Sequence, residues 1–188
     1  MEKYIELKLP GRKEPEKMLW LAYAFADTAS VVMRAMIEDD SHGNCGQGLV
    51  VSHLCRHALE LYFKGAIGIA TGKMKRNDHR LDKLYSEYKA LYSDKGAFYF
   101  FDFLVEEWVL NGEDWFPKDL SKRQQNHDQS FRYPADKNGI SFFGLRGFNV
   151  LEKAEQVERF SSTLNRRAFL MGQYGAQAHK FLNSDGPP

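Results

Sequence analysis

Apolar residues recur every three or four positions along most of this chain, which is the period of an amphipathic α-helix. The pattern predicts helices over residues 14–39, 48–73 and 81–92. The glycine-rich letters DDSHGNCGQG interrupt the pattern between the first two helices, and TGKMKRNDHR interrupts it between the second and the third. Helical segments therefore account for most of the first half of the chain.

The pattern changes in the second half. Residues 96–110 are rich in aromatic side chains, but the length of the segment and its 3-4 spacing favour a helix. Residues 117–148 show little periodicity, and we expect a long loop there, of the kind that is often functional. A last helix is predicted from about Asn149 to about Leu182.

The last predicted helix carries a seam of small and apolar residues that extends over about four heptads. Ser161, Ala168 and Gly175 recur in it every seven residues, and small residues allow another helix to approach closely. Two interpretations remain open. The seam packs along its own bundle, or part of it forms a dimer interface.

These elements predict an all-α protein: one domain over residues 1–188, folded as an up-and-down bundle of about five helices with the long loop before the last helix. We expect residues 1–13 to form an extended N-terminal segment and residues 183–188 to form a frayed tail.

Composition agrees with a globular chain, since 43% of the residues are hydrophobic and 27% are charged. The net charge of +1 provides no overall field to attract nucleic acid or an anionic membrane, so any such attraction must come from a local patch. The two cysteines, Cys45 and Cys55, form no disulfide framework or zinc-finger pattern. The N-terminus does not resemble a secretory signal, and no apolar run approaches the roughly 18 residues of a membrane span. We expect a cytoplasmic protein without a cofactor.

The second predicted helix carries a polar strip. At 100° per residue, His53, His57, Glu60 and Lys64 fall within an arc of about 60°, and Arg56 borders it. Three interpretations follow. The histidines and Glu60 bind zinc or iron; the strip is a solvated face with a Glu60–Lys64 ion pair; or it faces a neighbouring helix or a dimer partner, where it holds a phosphate or orders a cleft.

The letters LCRHALELYFKGAI, followed by DHRLDKL, resemble the HEPN family, the higher eukaryote and prokaryote nucleotide-binding domains. In that family a central helix often carries an arginine or histidine, then a glutamate, then a lysine four residues later, matched here by Arg56 or His57, Glu60 and Lys64. A histidine before the next apolar helix is matched by His79. The segment 130–139, SFRYPADKNG, is also similar to a turn in some HEPN-like bacterial proteins.

The resemblance implies an all-α bundle that dimerises and, in many members, a metal-independent ribonuclease of a toxin or defence system. Its catalytic motif is an arginine followed, after four to six residues, by a histidine. The nearest match is Arg123 with His127, at a gap of three, and Arg132 is a second candidate cation. Histidine would abstract the proton of a 2′-hydroxyl or protonate the leaving oxygen, and arginine would hold the scissile phosphate.

The predicted loop also interleaves basic and aromatic side chains, among them Tyr133, which could stack on a base. Three hypotheses result. The chain is an RNA- or nucleotide-handling HEPN-like protein, with ribonuclease activity centred on His127; it is a non-catalytic HEPN-like dimer that binds or scaffolds; or it is a helical metalloprotein with His53, His57 and Glu60 as ligands.

Overall fold

The computed structural model describes residues 12–38, 45–74, 77–92 and 150–181. These residues form four α-helices and contain no strand, so the predicted all-α class is confirmed for the described part of the chain. The helices are α1 (Glu14–Glu38), α2 (Cys45–Thr71), α3 (Leu81–Tyr92) and α4 (Val150–Tyr174), and α4 is followed by a 3₁₀ helix, Gly175–Phe181. The predicted helix 96–110 and the predicted loop 117–148 lie outside the described residues.

The ends of α1 and α2 follow from their sequences. Lys13 precedes α1, and its backbone amide donates to the Glu16 carboxylate at 3.2 Å, which satisfies an amide that the helix itself leaves unpaired. At the C-terminal end of α2, the Gly72 amide donates to the Gly68 carbonyl at 2.9 Å, and Gly72 adopts φ +70°. Glycine adopts this left-handed conformation without a steric penalty, so α2 ends there.

Helices α1 and α2 run antiparallel and lie very close at the start of α1. A methyl group added to Gly65 would be 2.8 Å from the Pro15 carbonyl oxygen, and one added to Gly68 would be 3.0 Å from the Pro15 ring. Further along, Phe25 of α1 contacts His57 of α2. Residues later in α1 thus contact residues earlier in α2, as expected for antiparallel helices. Two glycines on α2 therefore make room for the first turn of α1.

The seam of α4 packs within the molecule. Val157, Leu164 and Met171 are each no more than 1% exposed, Ser161 is 7% exposed, and α4 lies along α1. This finding favours the first interpretation of the seam, packing along its own bundle.

The prediction that one helix continues to about Leu182 was wrong. The α-helix ends at Tyr174, and Gly175, which we expected inside the seam, adopts φ +56°. A left-handed residue cannot continue an α-helix, and the chain goes on as a 3₁₀ helix. Ala178 nevertheless remains fully buried in that 3₁₀ segment.

Aromatic side chains fill the contact between α2 and α3. The rings of Tyr62, Phe63 and Tyr88 are 5.1–6.0 Å apart, and the Tyr92 hydroxyl donates to the Ala66 carbonyl at 2.8 Å. Burial raises the pKa of Tyr88 well above its ordinary value, so its phenol stays uncharged. The Tyr62 hydroxyl also contacts the Met171 sulfur at 3.1 Å, which connects this cluster to α4.

Within the described residues, every helix is too short or too polar for a transmembrane segment.

Candidate functional site

The polar strip of α2 is centred on a carboxylate inside the protein. Glu60 is 2% exposed, and its Oε1 accepts a hydrogen bond from Lys64 Nζ at 2.7 Å. Lys64 lies one helical turn later and its side chain is 5% exposed. The interpretation of the strip as a solvated face was therefore wrong. Burying a charge costs several kcal/mol, and pairing with a hydrogen-bonded opposite charge offsets this cost. Glu60 and Lys64 are paired in this way.

A second hydrogen bond reaches the same oxygen from the segment before α3. His79 Nδ1 lies 3.0 Å from Glu60 Oε1, while the His79 side chain is 52% exposed. The local sequence holds His79 in this place. The Asp78 carboxylate accepts the Arg80 amide at 3.1 Å, and the Arg80 carbonyl accepts the Leu84 amide at 3.0 Å, so α3 begins at Leu81, two residues after His79.

His57 lies on the other side of the carboxylate. Its Nδ1 is 3.7 Å from Glu60 Oε2, and its side chain is 24% exposed. The edge of the ring packs against Phe25 of α1, with ring centroids 4.6 Å apart and planes at 84°. Glu60 thus lies between two imidazoles, one held by α1 and one held by the start of α3.

The side chains proposed as metal ligands do not converge. The His53 and His57 rings stack at 5.9 Å with an interplanar angle of 11°, so they lie one above the other along the helix. No group of three or more histidine, cysteine, aspartate or glutamate side chains in the described part of the chain could hold a metal ion. The metalloprotein hypothesis finds no support in His53, His57 and Glu60.

Arg56 is another buried cation on α2. It is 3% exposed, and its charge opposes the effect of burial on the neighbouring Cys55 thiol. Burial prevails and raises the pKa of Cys55 far above its ordinary value. Cys55 is consequently a core residue rather than a nucleophile.

The structure thus brings together Glu60, Lys64, His57 and His79, with Arg56 on the same helix. The spacing in the sequence predicted the pairing of Glu60 with Lys64. The remaining predicted site residues, Arg123, His127, Arg132 and Tyr133, lie outside the described residues.

A pocket between α1 and α4 was not predicted. It has a volume of about 160 Å³ and lies between the first turns of α1 and the second half of α4. Trp20, Tyr23 and Phe169 contribute aromatic surface, and Arg12 contributes a guanidinium. No pattern in the sequence joins positions about 150 residues apart, so only the packing of α4 on α1 reveals it.

Comparison of the chain with models of protein families, with curated proteins and with solved structures found no match. The function must therefore be argued from the geometry of this cluster.

Proposed function

We propose that this chain is a HEPN-like helical protein that handles RNA or nucleotides. The proposed molecule is a cytoplasmic homodimer built on an up-and-down bundle of about five helices, with the long loop 117–148 before the last. The four described helices and the Glu60, Lys64 and His79 constellation support this proposal. These three residues follow the order in which HEPN proteins carry a glutamate, a lysine four residues later, and a histidine before the next helix.

The observation that carries the proposal is the group of nitrogen-bearing side chains around Glu60. The Glu60 carboxylate lies within 4 Å of Lys64, His57 and His79, and Arg56 is buried on the same helix. His57 and His79 reach the surface, with side chains 24% and 52% exposed, and imidazole N–H groups can donate hydrogen bonds to an anionic ligand. Phosphate is the anion that RNA and nucleotides share.

In its catalytic form the proposal is a metal-independent endoribonuclease of a defence or toxin-type system. His127 acts as an acid or a base, on the 2′-hydroxyl proton or on the leaving oxygen, and Arg123 or Arg132 holds the scissile phosphate. Arg56, His57, Glu60, Lys64, His79 and Tyr133 are the proposed binding residues.

The experiment that tests this proposal is incubation of a labelled mixed RNA pool with the protein in EDTA. Wild-type protein is compared with His127→Ala and with His42→Ala, a histidine outside the motif. We expect cleavage by the wild type and by His42→Ala, and loss of cleavage in His127→Ala. RNA binding is measured on the same samples by fluorescence anisotropy.

The outcomes separate the hypotheses. Binding of RNA without cleavage would support the non-catalytic HEPN-like module instead. Neither binding nor cleavage by folded wild-type protein would overturn the proposal.

A further inference from the structure

The hydrogen bond between Glu60 and His79 has a chemical consequence for the imidazole. An ionised carboxylate only accepts hydrogen bonds, so the nitrogen that faces it at 3.0 Å must carry a hydrogen. His79 Nδ1 is that nitrogen. In the neutral ring the hydrogen then resides on Nδ1, and Nε2 is the basic nitrogen.

Lys64 makes this arrangement compatible with a neutral imidazole. Its ammonium group lies 2.7 Å from Glu60 Oε1 and balances the buried negative charge. His79 therefore need not supply a positive charge to the carboxylate, and can serve as an N–H donor alone. Glu60 holds the ring, and the hydrogen bond between Asp78 and the Arg80 amide holds the backbone on either side of His79, while 52% of the His79 side chain reaches solvent.

We propose that His79 is an acid–base residue of this protein, and that Glu60 is the residue that positions it by fixing the Nδ1–H tautomer. The substrate class, an RNA phosphodiester, rests on the proposed function above. The tautomer rests only on the geometry around Glu60. The role of His79 is separate from that of the Arg123 and His127 motif.

The step balances without a metal or an oxidant. His79 Nε2 takes the proton of a ribose 2′-hydroxyl, and the resulting oxygen attacks the adjacent phosphorus. The O2′–P bond forms, and the P–O5′ bond breaks. The O5′ leaving group takes a proton from water or from an imidazolium. The products are a 2′,3′-cyclic phosphate and a 5′-hydroxyl.

The first arm of the test is a nuclear magnetic resonance measurement that requires no substrate. Long-range ¹H–¹⁵N correlation of histidine-labelled protein reports which ring nitrogen carries the hydrogen. The His79 signal is assigned by its absence in His79→Gln, a variant at a half-exposed position. We expect His79 in the Nδ1–H form in the wild type, and loss of that preference in Glu60→Gln. A wild-type His79 in the Nε2–H form would overturn the role of Glu60.

The second arm measures cleavage of the labelled RNA pool in EDTA by the wild type, His79→Gln and His42→Ala. We expect His79→Gln to lose roughly 10²- to 10⁴-fold in rate, the usual contribution of a general acid or base. His42→Ala should retain the rate. Circular dichroism of each variant separates loss of catalysis from loss of fold.

The two arms distinguish the two proposals. Cleavage by the wild type and equally by His79→Gln would overturn the catalytic assignment of His79 and leave the proposed ribonuclease standing. Absence of cleavage by the wild type would overturn both the ribonuclease and the catalytic role of His79. The tautomer measurement would then still decide whether Glu60 orients the ring.

Discussion

Glu60 shows at the scale of one residue how a buried charge is tolerated. Its side chain is 2% exposed and contacts Lys64 and His79 through the same oxygen. Removing one partner of a buried pair leaves the other charge uncompensated, which is far more costly than removing both. The stability of α2 should therefore depend on Glu60 and Lys64 as a pair.

We predict that Glu60→Ala lowers the free energy of unfolding by about 3–5 kcal/mol, because Lys64 would remain buried without its carboxylate. The double variant Glu60→Leu/Lys64→Met should lose distinctly less, since no unpaired charge remains. Urea denaturation followed by circular dichroism measures both. A loss below about 1 kcal/mol in Glu60→Ala would show that the pair is solvated and weak.

Cys55 permits a second prediction at this scale. Its side chain is fully buried, and burial raises the pKa of its thiol, so little reactive thiolate exists at neutral pH. In a Cys45→Ser variant, which leaves a single thiol, a chromogenic disulfide reagent should react only after denaturant is added. Stoichiometric reaction within seconds in native buffer would contradict the buried position.

The contact between α1 and α2 is determined by glycine at the scale of helices. Gly65 allows the Pro15 carbonyl and the Leu19 side chain to approach within the space that a methyl group would need. A backbone atom cannot turn aside as a flexible side chain can, so the two helices must separate to admit a larger residue.

We therefore predict that Gly65→Ala lowers the free energy of unfolding by about 1–3 kcal/mol, despite the better helix propensity of alanine. Gly172→Ala is the matched control, because a methyl group there meets nothing within 4 Å. It should gain about 0.5–1 kcal/mol. Thermal or urea denaturation decides, and a stabilised Gly65→Ala would mean that α1 does not approach α2 closely.

The start of α3 should respond to pH. The hydrogen bond from Arg80 is the main cause of a lowered pKa at Asp82. A pKa that is lower in the folded state contributes stability above the ordinary aspartate value of about 3.9, and that stability is lost as the pH falls through the folded value. Arg80→Gln should therefore be less stable than the wild type at pH 7.

The difference between Arg80→Gln and the wild type should shrink as the pH falls from about 4 through the lowered pKa of Asp82 in the folded wild type, below which Asp82 is protonated in both proteins. It should also shrink in 1 M salt, since the pair is partly exposed and screened. Urea midpoints across this pH range measure the effect. A difference that stays constant with pH would assign the stability to packing of the Arg80 side chain instead.

At the scale of the whole molecule, the described helices could largely be predicted from the 3-4 spacing of apolar residues and from the segments that interrupt it. The prediction of α3 at 81–92 matches the structure, and the first two helices differ by three residues or fewer at their ends. Gly175 could not be placed, because the sequence does not distinguish a small seam residue from a left-handed one.

The candidate site could be predicted only in part. The spacing of Glu60 and Lys64 along one helix predicted the ion pair, and the resemblance to the HEPN family indicated His79. Burial of that pair depends on tertiary packing, which the helical period does not report. The approach of Phe25 to His57 depends on the crossing of α1 over α2, which no local pattern encodes.

One prediction concerns the assembly of the molecule. Leu164 is fully buried in the seam of α4, which packs along α1 of the same chain. Leu164→Ala should lower the free energy of unfolding by about 2–5 kcal/mol and leave the native molar mass unchanged. Light scattering after size-exclusion chromatography measures the mass. A fall in molar mass at concentrations where the variant remains folded would indicate that the seam forms a dimer interface.

The sharing of Glu60 Oε1 by Lys64 and His79 has a consequence for divergence. A change at position 60 would leave two partners to accommodate, one on the same helix and one in the segment that leads into α3. Substitution at one of the three positions should thus favour substitution at the others. Chains descended from a common ancestor with this one are expected to keep residues 60, 64 and 79 together or to exchange them together.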